Sequence, residues 1–197
     1  MKNNLNHLLD NSVTHTRFLE DYNYNIKLNA LTKFNYLNNF NQKKLVKIIL
    51  NFSFKNIQFD KKKVIPFFLT LELISNQKCS ITTAKRAVLG LKIRKGVMTG
   101  CKVTLRNKNL YKFLDHLVLA LPRSESFKGF SLNALTKNIS VDFSTHLNEL
   151  FMFYQAESEI NSYINKLDIT FVTNTKCFEE KAFLLTSHSL PLVKLKK

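Results

Sequence analysis

The sequence contains few of the residues that build disulfide, metal and catalytic sites. Among its 197 residues there are three cysteines and five histidines, all scattered. Cys79, Cys101 and Cys177 form no C-x-x-C pair, so the sequence predicts neither a disulfide framework nor a metal site and favours a reducing compartment. The G-x-x-x-x-G-K-[ST], H-E-x-x-H and G-x-S-x-G motifs of common enzyme classes are also missing. These absences argue against an enzyme and against a bound cofactor.

Long apolar runs and a recognisable targeting segment are missing as well. A membrane-spanning helix needs about 18 apolar residues, and Glu72 interrupts the best candidate run, Val64 to Ile74. Residues 1–16 fit neither an apolar secretory signal nor an Arg-rich transit peptide. We therefore expect no membrane partner. Because the chain has no internal repeats and no Pro/Gly-rich linker, we also expect one domain (17–197) after a short N-terminal extension (1–16).

Glycine, proline and tryptophan are scarce, with four, three and none, whereas Asn, Lys, Ile and Phe are abundant. This composition is typical of an A/T-rich genome. Together with the lack of a recognisable targeting segment at the N-terminus, it favours a protein that is synthesised in the compartment in which it functions. We expect that place to be the mitochondrial matrix, with a plastid or a bacterial cytoplasm as the alternatives.

Positive charge is the main feature that remains. The chain has 30 Lys+Arg residues and 14 Asp+Glu residues, which gives a formal net charge of +16. This excess favours a polyanionic partner. Codon bias accounts for part of the lysine content, but it does not readily explain why the stretch between Glu72 and Asp115 contains no acidic residue. That stretch contains ten cations: Lys78, Lys85, Arg86, Lys92, Arg94, Lys95, Lys102, Arg106, Lys108 and Lys112.

Three of the four glycines, Gly90, Gly96 and Gly100, fall in the same stretch. Together with the cations they predict a basic, mobile loop between two strands that brings backbone close to a phosphate chain. Such contacts give affinity and position rather than sequence recognition. The alternative interpretation is a solvated strand face with ordinary hairpin glycines.

Hydrophobic periodicity predicts strands and helices that do not alternate strictly. The predicted strands cover 45–54, 101–106 and 166–173, and the predicted helices cover 18–33, 64–75, about 107–121 before Pro122, and a final segment. The helix at 64–75 is expected to be buried. Asn107 and Thr175 are predicted N-caps, the latter for the final helix with Glu179 and Glu180 in its first turn. The pattern predicts a single α+β domain with an antiparallel-dominated sheet and helices packed on one face.

One predicted strand has two chemically distinct faces. Because side chains alternate along a strand, Cys101, Val103 and Leu105 are predicted to face the core. Lys102, Thr104 and Arg106 are then predicted to face outward.

At this segment the sequence resembles a known family. The resemblance is carried by Asn76-Gln77-Lys78, Ile81–Lys85, GLKIRKG (90–96), GCKVTLR (100–106) and ALPRSESFKGFS (120–131). These motifs closely resemble the bacterial-type large-subunit ribosomal protein five, the 5S rRNA-binding protein of the central protuberance. Weaker matches at FNY (34–36), ILN (49–51) and LDITFVTNT (167–175) extend the similarity to about 18–192.

The resemblance implies a set of RNA-binding residues. By position, the family's 5S rRNA contacts fall on Asn51, Gln77 and Thr104, whose side chains both donate and accept hydrogen bonds. Lys78, Lys102 and Arg106 accompany them as cations. Further rRNA contacts are expected at Lys85, Arg86, Arg123 and Lys128. The loop from Gly90 to Gly100 matches the family loop that approaches P-site tRNA, with Lys92, Arg94 and Lys95 facing phosphate.

The sequence departs from the family at two places. The Pro-Arg pair expected before the first strand is Lys43-Lys44 here. The family's glycine-rich loop, which meets a small-subunit protein across the subunit interface, should fall near 137–147, where this chain has no glycine. We therefore expect large-subunit rRNA, 5S rRNA and P-site tRNA as partners, and the small-subunit protein only if the bridge forms with another loop shape. The alternative function is an extra-ribosomal organellar RNA-binding or RNA-processing factor.

Overall fold

The computed structural model describes residues 16–36, 38–53, 64–91, 93–121, 129–131, 140–145, 167–175 and 177–193. Within these ranges the α-helices are α1 Arg17–Asp21, α2 Lys27–Phe34, α3 Val64–Ser75, α4 Asn107–Ala120 and α5 Phe178–Ser187. The strands are β1 Leu45–Ser53, β2 Ser80–Thr83, β3 Met98–Leu105, β4 Phe130–Ser131, β5 Ser140–Thr145, β6 Leu167–Thr173 and β7 Leu192–Val193.

Five strands form one antiparallel sheet in the order β2-β3-β1-β6-β5. The short strands β4 and β7 pair separately and in parallel. The predicted α+β class with an antiparallel-dominated sheet is therefore confirmed, and the strands predicted at 45–54, 101–106 and 166–173 are present.

The core lies on one face of the sheet, between the strands and the helices. Alternate residues of the three central strands are fully buried there, among them Ile48, Leu50, Phe52, Cys101, Leu105, Ile169 and Phe171. Helix α4 covers them with Leu110, Phe113, Leu114 and Leu117. Apart from Gly100, the opposite residues of the same strands are half-buried or exposed, so in the described part of the chain the helices pack on one face of the sheet.

The predicted helix at 18–33 exists but is not α-helical throughout. A π-helical segment, Tyr22–Ile26, separates α1 from α2, and the Lys27 amide donates to the Tyr22 carbonyl. The wider turn belongs to a segment that packs against α4, where Arg17 Nη2 lies 3.4 Å from Asp115 Oδ1. The segment ends at Asn35, whose φ of 46° is a left-handed conformation that asparagine tolerates.

The N-terminal segment and the end of α5 meet around His188, which is fully buried. Its ring lies 6.0 to 6.2 Å, between centroids, from the rings of Phe18, Tyr22 and Tyr111. Neither ring nitrogen has a hydrogen-bond partner in the described part of the chain. The sequence did not predict this buried aromatic cluster.

Both predicted helix N-caps are wrong. Helix α4 begins at Asn107 with Arg106 as its N-cap, and Asn107 itself has φ of 50°. Helix α5 begins after Cys177, although Glu179 and Glu180 do lie in its first turn. Thr175, predicted to cap it, is buried and shares a 2.9 Å hydrogen bond with the Thr173 hydroxyl instead.

Helix α3 has the predicted bounds but is buried on one side only. Phe67, Leu71 and Ile74 face the core, whereas Ile65, Leu69 and Leu73 are 59%, 50% and 48% exposed. Its high apolar density predicted a buried helix, and that prediction holds for one side only. No helix in the described ranges has the length and apolar character needed to cross a membrane.

Candidate RNA-binding surface

The face of the sheet opposite the core presents mostly polar side chains from three central strands. We call it the open face and define it by Lys47, Ile49, Asn51, Lys102, Thr104, Asp168 and Thr170. All of these are half-buried except Lys102, which is exposed. The strand pleat produces this division, since the residues between them point into the core. The predicted alternation of Cys101 to Arg106 is therefore confirmed.

Strand register aligns one row of polar residues across the open face. Lys102 pairs with Ser80 on one side and with Asn51 on the other, and Asn51 pairs in turn with Asp168. Directly paired residues in an antiparallel sheet have Cβ atoms about 5 Å apart on the same face. The Ser80 hydroxyl also donates to the Lys102 carbonyl at 3.0 Å, which fastens the edge strand to this row.

A second row lies one step along the strands. Thr104 pairs with Ile49, and Ile49 pairs with Thr170. Thr104 is therefore a diagonal neighbour of Asn51 on the same face, at the roughly 7–8 Å that separates such neighbours. Two of the three residues expected to contact RNA are thus brought together by the β1–β3 register.

Gln77 and Lys78 lie before the edge strand β2. Since β2 runs antiparallel to β3 and Ser80 pairs with Lys102, residues preceding Ser80 lie toward the Thr104 end of β3. Asn76 turns the chain with φ of 50°. The Ser75 hydroxyl then donates to the Gln77 carbonyl at 3.0 Å and accepts from the Gln77 amide at 3.3 Å. The turn therefore holds the Gln77 backbone at the sheet edge, with its side chain half-exposed.

Asp168 was not among the predicted site residues, although its strand was. The alternation that sends Leu167 and Ile169 inward also sends Asp168 onto the open face beside Asn51. This face therefore combines a cation on the β3 side with a carboxylate on the β6 side. The period-two pattern of residues 167–173 is the sequence signal that places Asp168 on the face opposite Leu167 and Ile169.

The connection between β2 and β3 continues the hairpin beyond the strands. The Ala84 amide donates to the Val97 carbonyl and the Gly96 amide to the Ala84 carbonyl, both at 2.9 Å, and Val88 and Ile93 exchange two further backbone bonds. Gly96 has φ of 86°, which favours glycine. The predicted mobility of this loop stays a prediction.

Cations line this hairpin extension, with Lys85, Arg86, Arg94 and Lys95 all exposed. At the tip, Leu89 is 94% exposed. Lys92, predicted as a third phosphate-facing cation, lies outside the described residues.

Gly100 does not bound the loop as predicted but lies inside β3. A Cβ at Gly100 would lie 2.2 Å from the Phe52 carbonyl oxygen on β1. This glycine is therefore required by the close approach of two paired strands, not by loop flexibility.

Other predicted positions fall elsewhere. Arg123 and Lys128 lie outside the described residues. Near 137–147, where the family loop was expected, Ser140–Thr145 forms the edge strand β5 paired with β6. The expectation of a loop across this stretch is wrong for those six residues, because they continue the sheet.

The cysteines of β3 and of the segment before β2 are not activated for nucleophilic chemistry. Burial, and then Glu72, raises the pKa of the Cys79 thiol to about 11, and burial raises that of Cys101 to about 12. Both thiols stay protonated at neutral pH and are poor nucleophiles. The described residues contain no cluster of three or more His, Cys, Asp or Glu side chains suited to a metal ion.

Comparison with known proteins identifies the family to which the chain belongs. The family model of the ribosomal L5P family C-terminus matches residues 98–192. The chain is 36% identical over 181 residues to "Large ribosomal subunit protein uL5m" of Reclinomonas americana, covering 90% of this chain and 98% of that protein. It is 37% identical over 175 residues to "Large ribosomal subunit protein uL5" of Wolbachia sp. subsp. Brugia malayi (strain TRS), covering 88% and 98%. The chain belongs to the uL5 family of ribosomal proteins, which are structural and not enzymatic.

Proposed function

We propose that this chain is a structural component of the large ribosomal subunit and that its open face binds 5S rRNA. The observation that carries the proposal is the register of β1 and β3, which aligns Asn51, Lys102 and Thr104 on the same face of the sheet. Those side chains come from strands that are far apart in sequence, yet they form one contiguous polar patch. Family membership independently favours a ribosomal partner.

The side-chain types suit an RNA minor groove. That groove is wide and shallow and displays ribose 2′-hydroxyls and base edges. The amide of Asn51 and the hydroxyl of Thr104 each donate and accept hydrogen bonds, so they match both groups. Lys102, Arg106 and Lys78 supply phosphate contacts that fix the register, and Gln77 extends the set at the sheet edge.

The hairpin extension provides a separate cationic surface. We assign Arg94 and Lys95, with Lys92, to the approach of P-site tRNA, and Lys85, Arg86, Arg123 and Lys128 to large-subunit rRNA. The exposed cations of the described part project from the far end of the β2–β3 hairpin, away from the row that contains Asn51. A contact with a small-subunit protein would involve the β5 side of the sheet.

The mitochondrial matrix is the compartment we assign. A mitochondrial-type relative and bacterial relatives match at similar identity, so the alternatives remain a plastid or a bacterial cytoplasm. The amino-acid composition, which is typical of an A/T-rich genome, is compatible with all three compartments.

The decisive experiment is to purify the native particle that contains this chain and sequence the RNAs that co-sediment in a high-salt gradient. Large-subunit rRNA together with a 5S-like species is the expected result. Large-subunit rRNA without a 5S-like species would retain the ribosomal role but remove the assignment of the open face. Absence of rRNA would favour the extra-ribosomal RNA-binding or RNA-processing factor.

A further inference from the structure

A cleft of about 400 Å³ lies at the end of the sheet, where β1 begins and β3 passes into α4. Its walls come from three elements: the N-terminal helical segment, the start of β1, and the junction at Arg106. This volume is within the 300–1,000 Å³ typical of ligand clefts. It is therefore large enough for one ribose-phosphate unit.

Three exposed cations surround the cleft. Lys44 approaches from the β1 side, and Arg106 and Lys108 approach from the α4 side. Within the described ranges, no acidic residue lines the cleft and no carboxylate forms a salt bridge with any of the three. Three positive charges around one concavity focus a potential that attracts an anion.

The floor of the cleft is apolar and held in place. Tyr22 and Tyr111 lie with ring centroids 6.2 Å apart and are almost fully buried. The Tyr22 hydroxyl donates to the Lys43 carbonyl at 3.2 Å, which fixes the backbone next to Lys44. Burial raises the pKa of Tyr22, so its hydroxyl stays neutral and does not repel an anion.

Amide groups complete the rim. Asn23 and Asn107 line the cleft beside the cations, and amides donate hydrogen bonds to phosphate and ribose oxygens. Asn107 has φ of 50°, so the chain turns sharply between Arg106 and Lys108. The combination of cations, amides and an apolar floor fits a sugar-phosphate unit better than a purely apolar ligand.

The position of Arg106 connects the cleft with the open face. Arg106 directly follows β3, two residues beyond Thr104, and it also lines the cleft. An RNA strand that crosses the open face along β3 would reach the cleft at this residue. We propose that the cleft binds a backbone phosphate of the same RNA, held by Lys44, Arg106 and Lys108. The inference rests on the proposed function, because it extends the open face by one phosphate contact.

The test combines a direct probe of the anion site with RNA binding. The full chain, labelled for NMR, is titrated with inorganic phosphate at constant ionic strength, with chloride as the reference anion. In parallel, the affinity for a 5S-like rRNA is measured as a function of salt concentration. Both measurements are made on the wild type, on K44Q/K108Q, and on K85Q/K95Q, which removes the same charge outside the cleft.

The expected result is a saturable phosphate-dependent shift of the amide signals of Arg106 to Lys108 that disappears in K44Q/K108Q. That variant should also lose about one unit from the slope of log affinity against log salt, roughly a tenfold weakening at 0.1 M salt. K85Q/K95Q should retain the phosphate-dependent shift.

Equal shifts in wild type and K44Q/K108Q, or an unchanged salt slope while the wild type binds RNA, would overturn the cleft assignment and leave the proposed function standing. If the wild type binds phosphate but no 5S-like or large-subunit rRNA, the proposed function fails, and the assignment of the phosphate to RNA fails with it. Matching circular dichroism spectra establish that all variants are folded.

Discussion

Asn51 of β1 lies directly opposite Lys102 of β3 on one side and directly opposite Asp168 of β6 on the other. One amide therefore stands between a cation and a carboxylate in the middle of the open face. A phosphate is favoured on the β3 side, where the lysine attracts it, and disfavoured beside the carboxylate. A ribose hydroxyl can donate to a carboxylate oxygen, so this order of side chains gives the surface a polarity across the strands.

The first prediction concerns the two neutral polar residues of this face. In the double variant N51A/T104A, we expect the affinity for 5S-like rRNA to fall about thirtyfold, because two hydrogen bonds of roughly 1 kcal/mol each are lost. Filter binding or isothermal titration measures the change, and urea unfolding measures stability. The core residues on the opposite side of both strands are untouched, so the fold should persist.

The matched control is N25A/T32A, which removes the same two side-chain types from exposed positions on the N-terminal segment. It should bind RNA as the wild type does. A folded N51A/T104A variant with wild-type affinity would remove both residues from the RNA site.

The second prediction concerns the packing of β1 against β3. An added Cβ at Gly100 would lie 2.2 Å from the Phe52 carbonyl oxygen, a backbone atom that cannot move without breaking the strand pairing. We expect G100A to lower the free energy of unfolding by about 2 kcal/mol or more, as overpacking typically does. Chemical denaturation gives the value.

Gly90 provides the comparison for Gly100. A Cβ there meets nothing within 4 Å, so G90A should leave stability within about 0.5 kcal/mol of the wild type. If both substitutions had the same small effect, the close approach at Gly100 would not constrain the sheet.

Sequence reasoning predicted β1, β3 and β6 and the outward-facing residues of β3, because period-two alternation reports directly on which side a residue faces. Cys101 and Lys102 were assigned to opposite faces correctly. Local periodicity does not predict the pairing register of the strands, because register depends on contacts between segments far apart in the chain. The opposition of Asn51 and Asp168 therefore required the structure.

In each wrong prediction, residue type or composition was used where contacts with the rest of the fold decide the outcome. Gly100 was assigned to a loop because glycine favours turns, but here the neighbouring backbone excludes a side chain. Thr175 was assigned as a cap by residue type, yet its hydroxyl bonds to Thr173 in the interior. Helix α3 was expected to be buried because its composition does not distinguish Leu71, which faces the core, from Leu69, which is half exposed.

The third prediction separates the hairpin extension from the open face. The triple variant K92Q/R94Q/K95Q removes three positive charges. Its affinity for 5S-like rRNA should stay within about twofold of the wild-type value, and its assembled large subunit should bind tRNA more weakly. The physical reason is that Arg94 and Lys95 lie on the β2–β3 connection rather than on the row containing Asn51. Parallel binding assays with both RNAs measure the two effects. Loss of 5S-like rRNA binding in this variant would show that the two surfaces act as one.

The fourth prediction follows from the burial of His188. Its ring is enclosed by Phe18, Tyr22 and Tyr111, and burial lowers its pKa to about 4, with Asp21 opposing the shift. An unfolded chain has an ordinary histidine pKa of about 6.5. Between these two values the unfolded state binds more protons than the folded state, so stability rises with pH across this window.

The contribution of His188 is therefore fully present above pH 6.5 and is lost as the pH falls toward 4. Each pH unit within the window costs roughly 1.4 kcal/mol, to a total of about 3 kcal/mol. Urea unfolding at half-unit steps from pH 4.5 to 7.5 measures the slope. H188F retains a ring in the aromatic cluster but cannot be protonated, so its stability should lack this component. It should match or exceed the wild type at pH 7, because no buried nitrogen is left without a partner. The same slope in H188F and the wild type would assign the pH dependence to another group.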